Sequence, residues 1–265
     1  MRTFWLIAVC LLSFYTSAKQ VVYVPHEVAS GTSEQPDDLG FRMFKALISG
    51  LDKQYQFVYE EASQARQWEL LKASDNLCLY NKMRTEPRDR LANFTEFPLL
   101  TFPPNRLISS SPVIQGKEIS IQSLLNNSTI TIGIEEGRSY GRVLDAVITQ
   151  SKDKFFVANG TSMNKRLYEM LERGRVNAII EYTLSYNSLA APYNLRDKYV
   201  YQIEGVDNYV DGYIACSNSL IGKALISKFD SLMRQEAYKQ SASALIMRYV
   251  PDAERRQIIN RLNLN

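Results

Sequence analysis

Histidine is nearly absent from this chain: His26 is the only one among 265 residues. A zinc site built on histidines needs several ligands at set spacings, which this sequence does not offer. A Ser-His-Asp or Cys-His hydrolase would have to run through His26, and no G-x-S-x-G stretch accompanies it. His26 itself reads as a polar loop residue after a first strand. Cysteine is almost as scarce, with three in all. Cys10 lies inside an apolar run and follows Val9 rather than a small residue, which argues against a lipid-anchored cysteine. Cys78 and Cys216 remain, too few for a disulfide scaffold. They read either as one bridge or as two buried thiols, and their apolar, strand-like surroundings (LCLY and YIACS) lean toward thiols. An excess of one charge is lacking too. Lys and Arg number 31 against 28 Asp and Glu, and a net +3 is too small to argue for nucleic acid. The one close basic run, Arg84 to Arg90, is broken by Glu86 and Asp89.

Long apolar runs are confined to the start. Arg2 supplies a short positive region, Phe4 to Tyr15 a mostly apolar run, and Thr16-Ser17-Ala18 the small residues of a cleavage site. Residues 1–18 therefore read as a secretory signal peptide, too short for a stable membrane span. No later segment approaches ~18 uninterrupted apolar residues, so the mature chain is expected to be soluble. Hydrophobic residues make up 45% of the sequence and charged ones 22%, an ordinary globular balance that can bury a sizeable core.

Beyond the leader, strand and helix signals alternate. Strands are expected over 20–24, 56–59 and 77–80. Between them, Asp37 or Asp38 caps one helix (Leu39, Met43, Leu47, Ile48) and Ser63 caps another (Trp68, Leu70, Leu71). That order argues for a parallel α/β sheet. A proline-rich passage follows, Phe97-Pro98 and then Phe102-Pro103-Pro104, and reads as a crossing segment. A second α/β series runs from Leu107 to Glu181, with a helix after Gly141 and another capped by Ser162. Near residues 201–207 the chain turns again, gives one strand over 209–216, and ends in helices. This last part has no core of its own and is expected to pack back on the first block. The reading is thus α/β with two lobes: 19–104 and 204–265 form the first, 105–203 the second. Two crossings join them, and a ligand belongs in the groove between.

Within the second series, Ile132-Gly-Ile-Glu-Glu-Gly137-Arg-Ser-Tyr-Gly141 reads as strand, glycine turn and helix start. Such a turn points backbone N–H groups at an anion. A P-loop is excluded because Gly141 is followed by Arg142-Val143, not Lys-Ser/Thr, and the G-x-G-x-x-G dinucleotide fingerprint is absent.

Asn81-Lys-Met-Arg-Thr-Glu-Pro-Arg88 with Phe94-Thr-Glu-Phe-Pro98, the Ile132–Gly137 turn, and Leu171-Glu-Arg-Gly-Arg-Val-Asn-Ala178 occur in an order that resembles family 3 periplasmic solute-binding proteins, the polar amino acid type. The resemblance implies a type II periplasmic binding fold whose lobes close over a ligand like a hinged trap. It implies that Arg88 grips a ligand carboxylate with its planar fork, and that Arg138 and Ser139 complete the seat from the second lobe. Tyr140 flanks them, and Asn81 and Met83 fall at first-lobe contact positions. The family's ammonium-holding carboxylate falls at Tyr182, with Glu181 beside it; in a strand the two point to opposite faces. Arg138 would suit an acidic ligand, Glu27 and Glu181 a cationic one. The implied protein is periplasmic and monomeric, takes a small polar solute without cofactor or metal, and hands it to an inner-membrane permease or sensor. Other uses of the fold remain open: a hydro-lyase acting on a cyclic carboxylic acid, with Glu181 or Glu27 as its acid or base, or an orphan domain acting through a protein partner.

Overall fold

The computed structural model describes residues 19–27, 38–127, 129–189, 195–206 and 208–264. The expected signal peptide, 1–18, lies outside the described residues.

The first lobe opens with β1 (Gln20–His26), α1 (Leu39–Ile48), β2 (Tyr55–Glu61), α2 (Gln64–Ala73) and β3 (Cys78–Met83). β1 and β2 pair in parallel, and a parallel bridge from Tyr23 to Leu77 brings in the next strand. The helices start where side chains satisfy orphan backbone donors: Asp38 accepts from the Phe41 N–H and Ser63 from the Arg66 N–H. Phe41, Phe44, Leu47 and Ile48 recur at helical spacing and are buried on one face of α1. The short α3 (Glu86–Asp89), with Pro87 in its first turn, leads into β4 (Ala92–Phe94) and β5 (Leu100–Phe102).

The second lobe holds β6 (Arg106–Ser109), β7 (Glu118–Ile119), α4 (Ile121–Asn127), β8 (Ile132–Glu135), α5 (Arg142–Gln150), β9 (Phe155–Ala158), α6 (Met163–Glu172), β10 (Ala178–Glu181), α7 (Thr183–Leu189) and β11 (Tyr199–Ile203). Its sheet runs β7-β11-β6-β10-β8-β9. β8 pairs in parallel with β10 on one side and β9 on the other, while β6 pairs antiparallel with β10 and β11. The chain then returns through β12 (Val210–Ser217), which pairs antiparallel with β3, β4 and β5. α8 (Leu220–Met233), α9 (Glu236–Tyr249) and α10 (Asp252–Arg261) follow. Leu225, Phe229, Ile246 and Ile258 from these helices share one core with Val22, Phe44 and Leu47.

Three expectations are corrected. Cys78 and Cys216 are disulfide-bonded rather than free thiols. Their apolar runs are adjacent antiparallel strands, and the register sets the two residues directly opposite. His26 is the last residue of β1 and is buried, not a loop residue. The strand expected over 77–80 extends through Asn81 and Lys82, because pairing of Met83 with Gly212 holds these polar residues in the ladder. No helix among the described residues is long and apolar enough to cross a membrane.

Candidate functional site

The cleft lies where the lobes face each other, past the carboxyl ends of β1, β3, β8 and β10. In α/β sheets this is where ligands bind, because loops and helix starts there diverge to leave a crevice. Two connected openings of about 630 and 1480 Å³ share Gln64, Asn81, Lys82, Phe102, Asn164 and Ser185 as walls. Residues of both lobes line them.

Arg88 sits at the junction. Its neighbours are neutralised locally: Arg84 pairs with Asp89 at 2.7 Å and Arg90 with Glu86 at 2.9 Å. Among the described residues Arg88 takes no such partner. It donates to the Met83 carbonyl of its own lobe and to the Gly137 carbonyl of the other, both at 2.9 Å. Its guanidinium also lies over the Trp68 ring, 4.4 Å from the centroid. Burial pulls its pKa down to about 10, against the pull of Asp145 and Tyr182, so it stays charged at neutral pH. Two bonds leave three of the five guanidinium N–H donors for other acceptors. The lobes touch at the same place. A Cβ added to Gly137, whose φ is +78°, would stand 2.6 Å from the Ala65 nitrogen at the start of α2. Only glycine fits there.

The rest of the turn is internally occupied. Arg138 forks onto Glu181 with bonds of 2.6 and 2.8 Å. Glu181 also accepts from the Tyr168 hydroxyl at 3.0 Å and the Tyr182 N–H at 2.8 Å. Burial opposes the charge on Arg138, but Glu181 outweighs it and holds the guanidinium pKa well above its usual value. The Asp145 carboxylate accepts from the Ser139 hydroxyl at 2.5 Å and the Tyr140 N–H at 2.7 Å. The anion seated at this turn is therefore the chain's own Asp145, projecting back from the first turn of α5.

A second polar group fills the middle of the cleft. Lys82 donates to Gln64 at 2.5 Å, and Gln64 donates on to Glu27 at 3.3 Å. Burial lowers Lys82 to about 8, with Glu27 pulling upward and Arg88 pushing downward. Glu135, at the end of β8, is 4% exposed, and burial together with Glu27 pushes its carboxyl well above the usual range. Glu27 Oε1, Glu135 Oε1 and Asn81 Oδ1 are buried without a partner among the described residues.

No family model matches the chain, and no curated protein matches it. Solved structures do. A putative L-cystine ABC transporter protein from Listeria monocytogenes aligns over 88% of this chain and 97% of its own at 14% identity, with a TM-score of 0.67. A structure described for glutathione import via GshT and the cystine importer TcyBC of Streptococcus mutans aligns over 90% and 100% at 11% identity, TM-score 0.68. The ancestral amino acid-binding protein AncCDT-1, a precursor of cyclohexadienyl dehydratase, aligns over 88% and 96% at 12% identity, TM-score 0.61. The chain has the two-lobed type II periplasmic binding fold.

On that fold, the structure brings Arg88, Arg138, Ser139, Asn81, Met83, Glu181 and Tyr182 to one opening. Asn81 adopts φ +55°, and Met83 offers its carbonyl to Arg88 while its sulfur lies 3.1 Å from the Ser139 hydroxyl oxygen. β10 ends at Glu181, so the strand alternation stops and both Glu181 and Tyr182 reach the cleft. Tyr182 stacks on Phe102 with centroids 4.7 Å apart. Tyr140 does not join them. It is buried in the second-lobe core, and its hydroxyl accepts from the Glu135 N–H at 2.8 Å. Sequence reading did not single out Lys82, Gln64, Glu135 or Asp145. The available signal for Glu135 was its place at the carboxyl end of an apolar strand, and for Asp145 its place one helical turn past Gly141.

Proposed function

We propose that the chain is an exported, monomeric solute-binding protein that closes its lobes over a small, amino-acid-like solute bearing a carboxylate. The lobes divide at 104/105 and 203/204, and the leader 1–18 directs the mature chain to the periplasm. The observation that carries this reading is Arg88. It is charged, half-buried, and spans from its own lobe to the second lobe inside the cleft. A guanidinium in that position has donors left for a carboxylate and senses whether the lobes are together. The Ser139–Asp145 contact forms the opposite wall, so Arg88 is the dominant carboxylate partner. Neighbouring structures whose descriptions mention cystine, glutathione or arginine, all amino carboxylates, support this class. The partner is an inner-membrane permease or sensor that reads the closed form. Capture rather than turnover is favoured because the strongest acid–base pair, Arg138–Glu181, is locked within the second lobe.

A thermal-shift screen of residues 19–265 tests this. The panel holds acidic, neutral and basic amino acids, polyamines, dicarboxylates and small cyclic acids. At ~100 times its Kd a ligand adds ~2.7 kcal/mol. At ~2–4 °C per kcal/mol for this size, the melting point rises by about 5–10 °C. Arg88→Ala abolishes the shift for carboxylate ligands. A panel with no hit, or a carboxylate hit indifferent to Arg88→Ala, overturns the reading.

A further inference from the structure

The geometry points to a cation seat formed by Glu27 of the first lobe and Glu135 of the second, in which one cationic nitrogen of the solute replaces a proton held between the two carboxyls. This rests on the solute-binding reading and names the chemistry of the ligand's other end.

The first support is the inventory of unmatched atoms. Arg138 is matched by Glu181, the turn donors by Asp145, and Lys82 donates to Gln64. Among the described residues, the cleft-lining atoms left without partners are His26 Nε2, Glu27 Oε1, Glu135 Oε1 and Asn81 Oδ1; with His26 Nδ1 donating to the Val24 carbonyl, all four are acceptors. A buried acceptor without a donor is costly, so the group that completes this site is a donor. The second is placement. Glu135 is 4% exposed and lines the cleft, and its carboxyl lies within hydrogen-bonding reach of Glu27 on the other lobe. Two carboxyls that close do not both ionise in a buried site. Either one keeps its proton and donates to the other, or a cation sits between them.

The charges facing Glu135 decide between neutral and cationic donors. Lys82 approaches from β3 and Arg138 from the turn, while Glu27 approaches from the end of β1. Tyr140 and Tyr168 also face it, and Glu181 lies beyond Arg138. Arg138 is already neutralised by Glu181. Lys82 therefore balances one of the two carboxylates, and the other is balanced by the proton or by its replacement. Uptake is balanced as an exchange: the solute's ammonium or amidinium nitrogen hydrogen-bonds to both carboxylates, and the Glu135 proton leaves to solvent. The solute is then cationic at one end, with its carboxylate at Arg88.

The test is calorimetric titration of the mature chain with L-arginine, L-lysine, agmatine and putrescine, alongside L-glutamate and L-alanine. Each is run in two buffers of different ionisation enthalpy. The expected result is binding of at least one cationic probe with release of a proton, and an association constant that rises as the pH is raised. Glu135→Gln, which keeps the shape of the protonated carboxyl, abolishes the proton release and weakens that probe at least tenfold. Arg88→Ala weakens the amino acids but spares agmatine and putrescine. Binding of glutamate or alanine without any cationic probe refutes the cation seat and leaves the solute-binding reading standing. Cation binding without proton release, or unchanged in Glu135→Gln, also refutes it. Silence from all six probes refutes both.

Discussion

Replacing Gly137 with alanine separates closure from folding. The turn holds Gly137 at φ +78°, and an alanine there costs about 1–2 kcal/mol from its own backbone. That cost is the same whether the lobes are together or apart, so it lowers overall stability and leaves closure untouched. The new methyl acts differently. It would lie 2.6 Å from the Ala65 nitrogen and 2.7 Å from its Cα, atoms of the other lobe's backbone that cannot rotate away. Ordinary carbon contacts need about 3.5 Å, so the lobes must separate by close to 1 Å at this point. The Arg88 bond to the Gly137 carbonyl, now 2.9 Å, is then lost. A hydrogen bond to a charged group is worth about 1.5–3 kcal/mol. Closure is penalised by at least that much, which weakens a ligand held between the lobes by roughly 10- to 150-fold. Small-angle scattering should show an expanded particle, and titration of a ligand from the screen should show the weakened Kd. The melting point without ligand should fall only by the backbone cost, about 2–8 °C at ~2–4 °C per kcal/mol. A variant with the parent's scattering curve and Kd would show that the contact between Gly137 and Ala65 does not govern closure.

Glu181→Ala should cost about 3–5 kcal/mol, read as a lower urea midpoint, because it leaves the Arg138 charge buried without a partner; adding Arg138→Met should restore much of the loss. The bridge between Cys78 and Cys216 closes a separation of 138 residues, so replacing both with alanine should cost about 5 kcal/mol on the chain-entropy account, again read in urea. Lys82 gives a pH signature. Its pKa falls from 10.5 to about 8 on folding, so between these values the unfolded chain binds more protons and stability rises with pH; below about 8 the burial cost is fully present. Lys82→Met should remove that rise, worth up to about 3 kcal/mol, when the two proteins are compared in urea from pH 8 to 10.5.

What the sequence made legible were features set by neighbours along the chain. Asp38 and Ser63 announce α1 and α2 because capping is a contact over three residues. The glycine turn before α5 was also readable, and Arg88 stood out through the resemblance of its segment, Asn81 to Arg88, to family 3 solute-binding proteins. What escaped was set across the fold. The apolar signal of β3 stops at Tyr80, yet the strand continues through Lys82 because β12, more than a hundred residues later, supplies the ladder. That extension turns Lys82 from an expected loop residue into the buried cation of the cleft. The same pairing decides the cysteines, whose apolar setting suits a thiol and a bridge equally until β12 places them opposite each other. At the turn, local reasoning expects a ligand's anion; the carboxylate that the Ser139 hydroxyl and Tyr140 N–H meet is Asp145, aimed back at them by helix geometry. Glu27 and Glu135 carry the lesson furthest. Glu27 was readable as a partner for a cationic ligand while Glu135 looked like an ordinary strand-end carboxylate, and their joint chemistry exists only because closing two lobes sets one against the other. A site of that kind belongs to the closed form alone, which is the property a receptor needs if its partner is to tell occupied from empty.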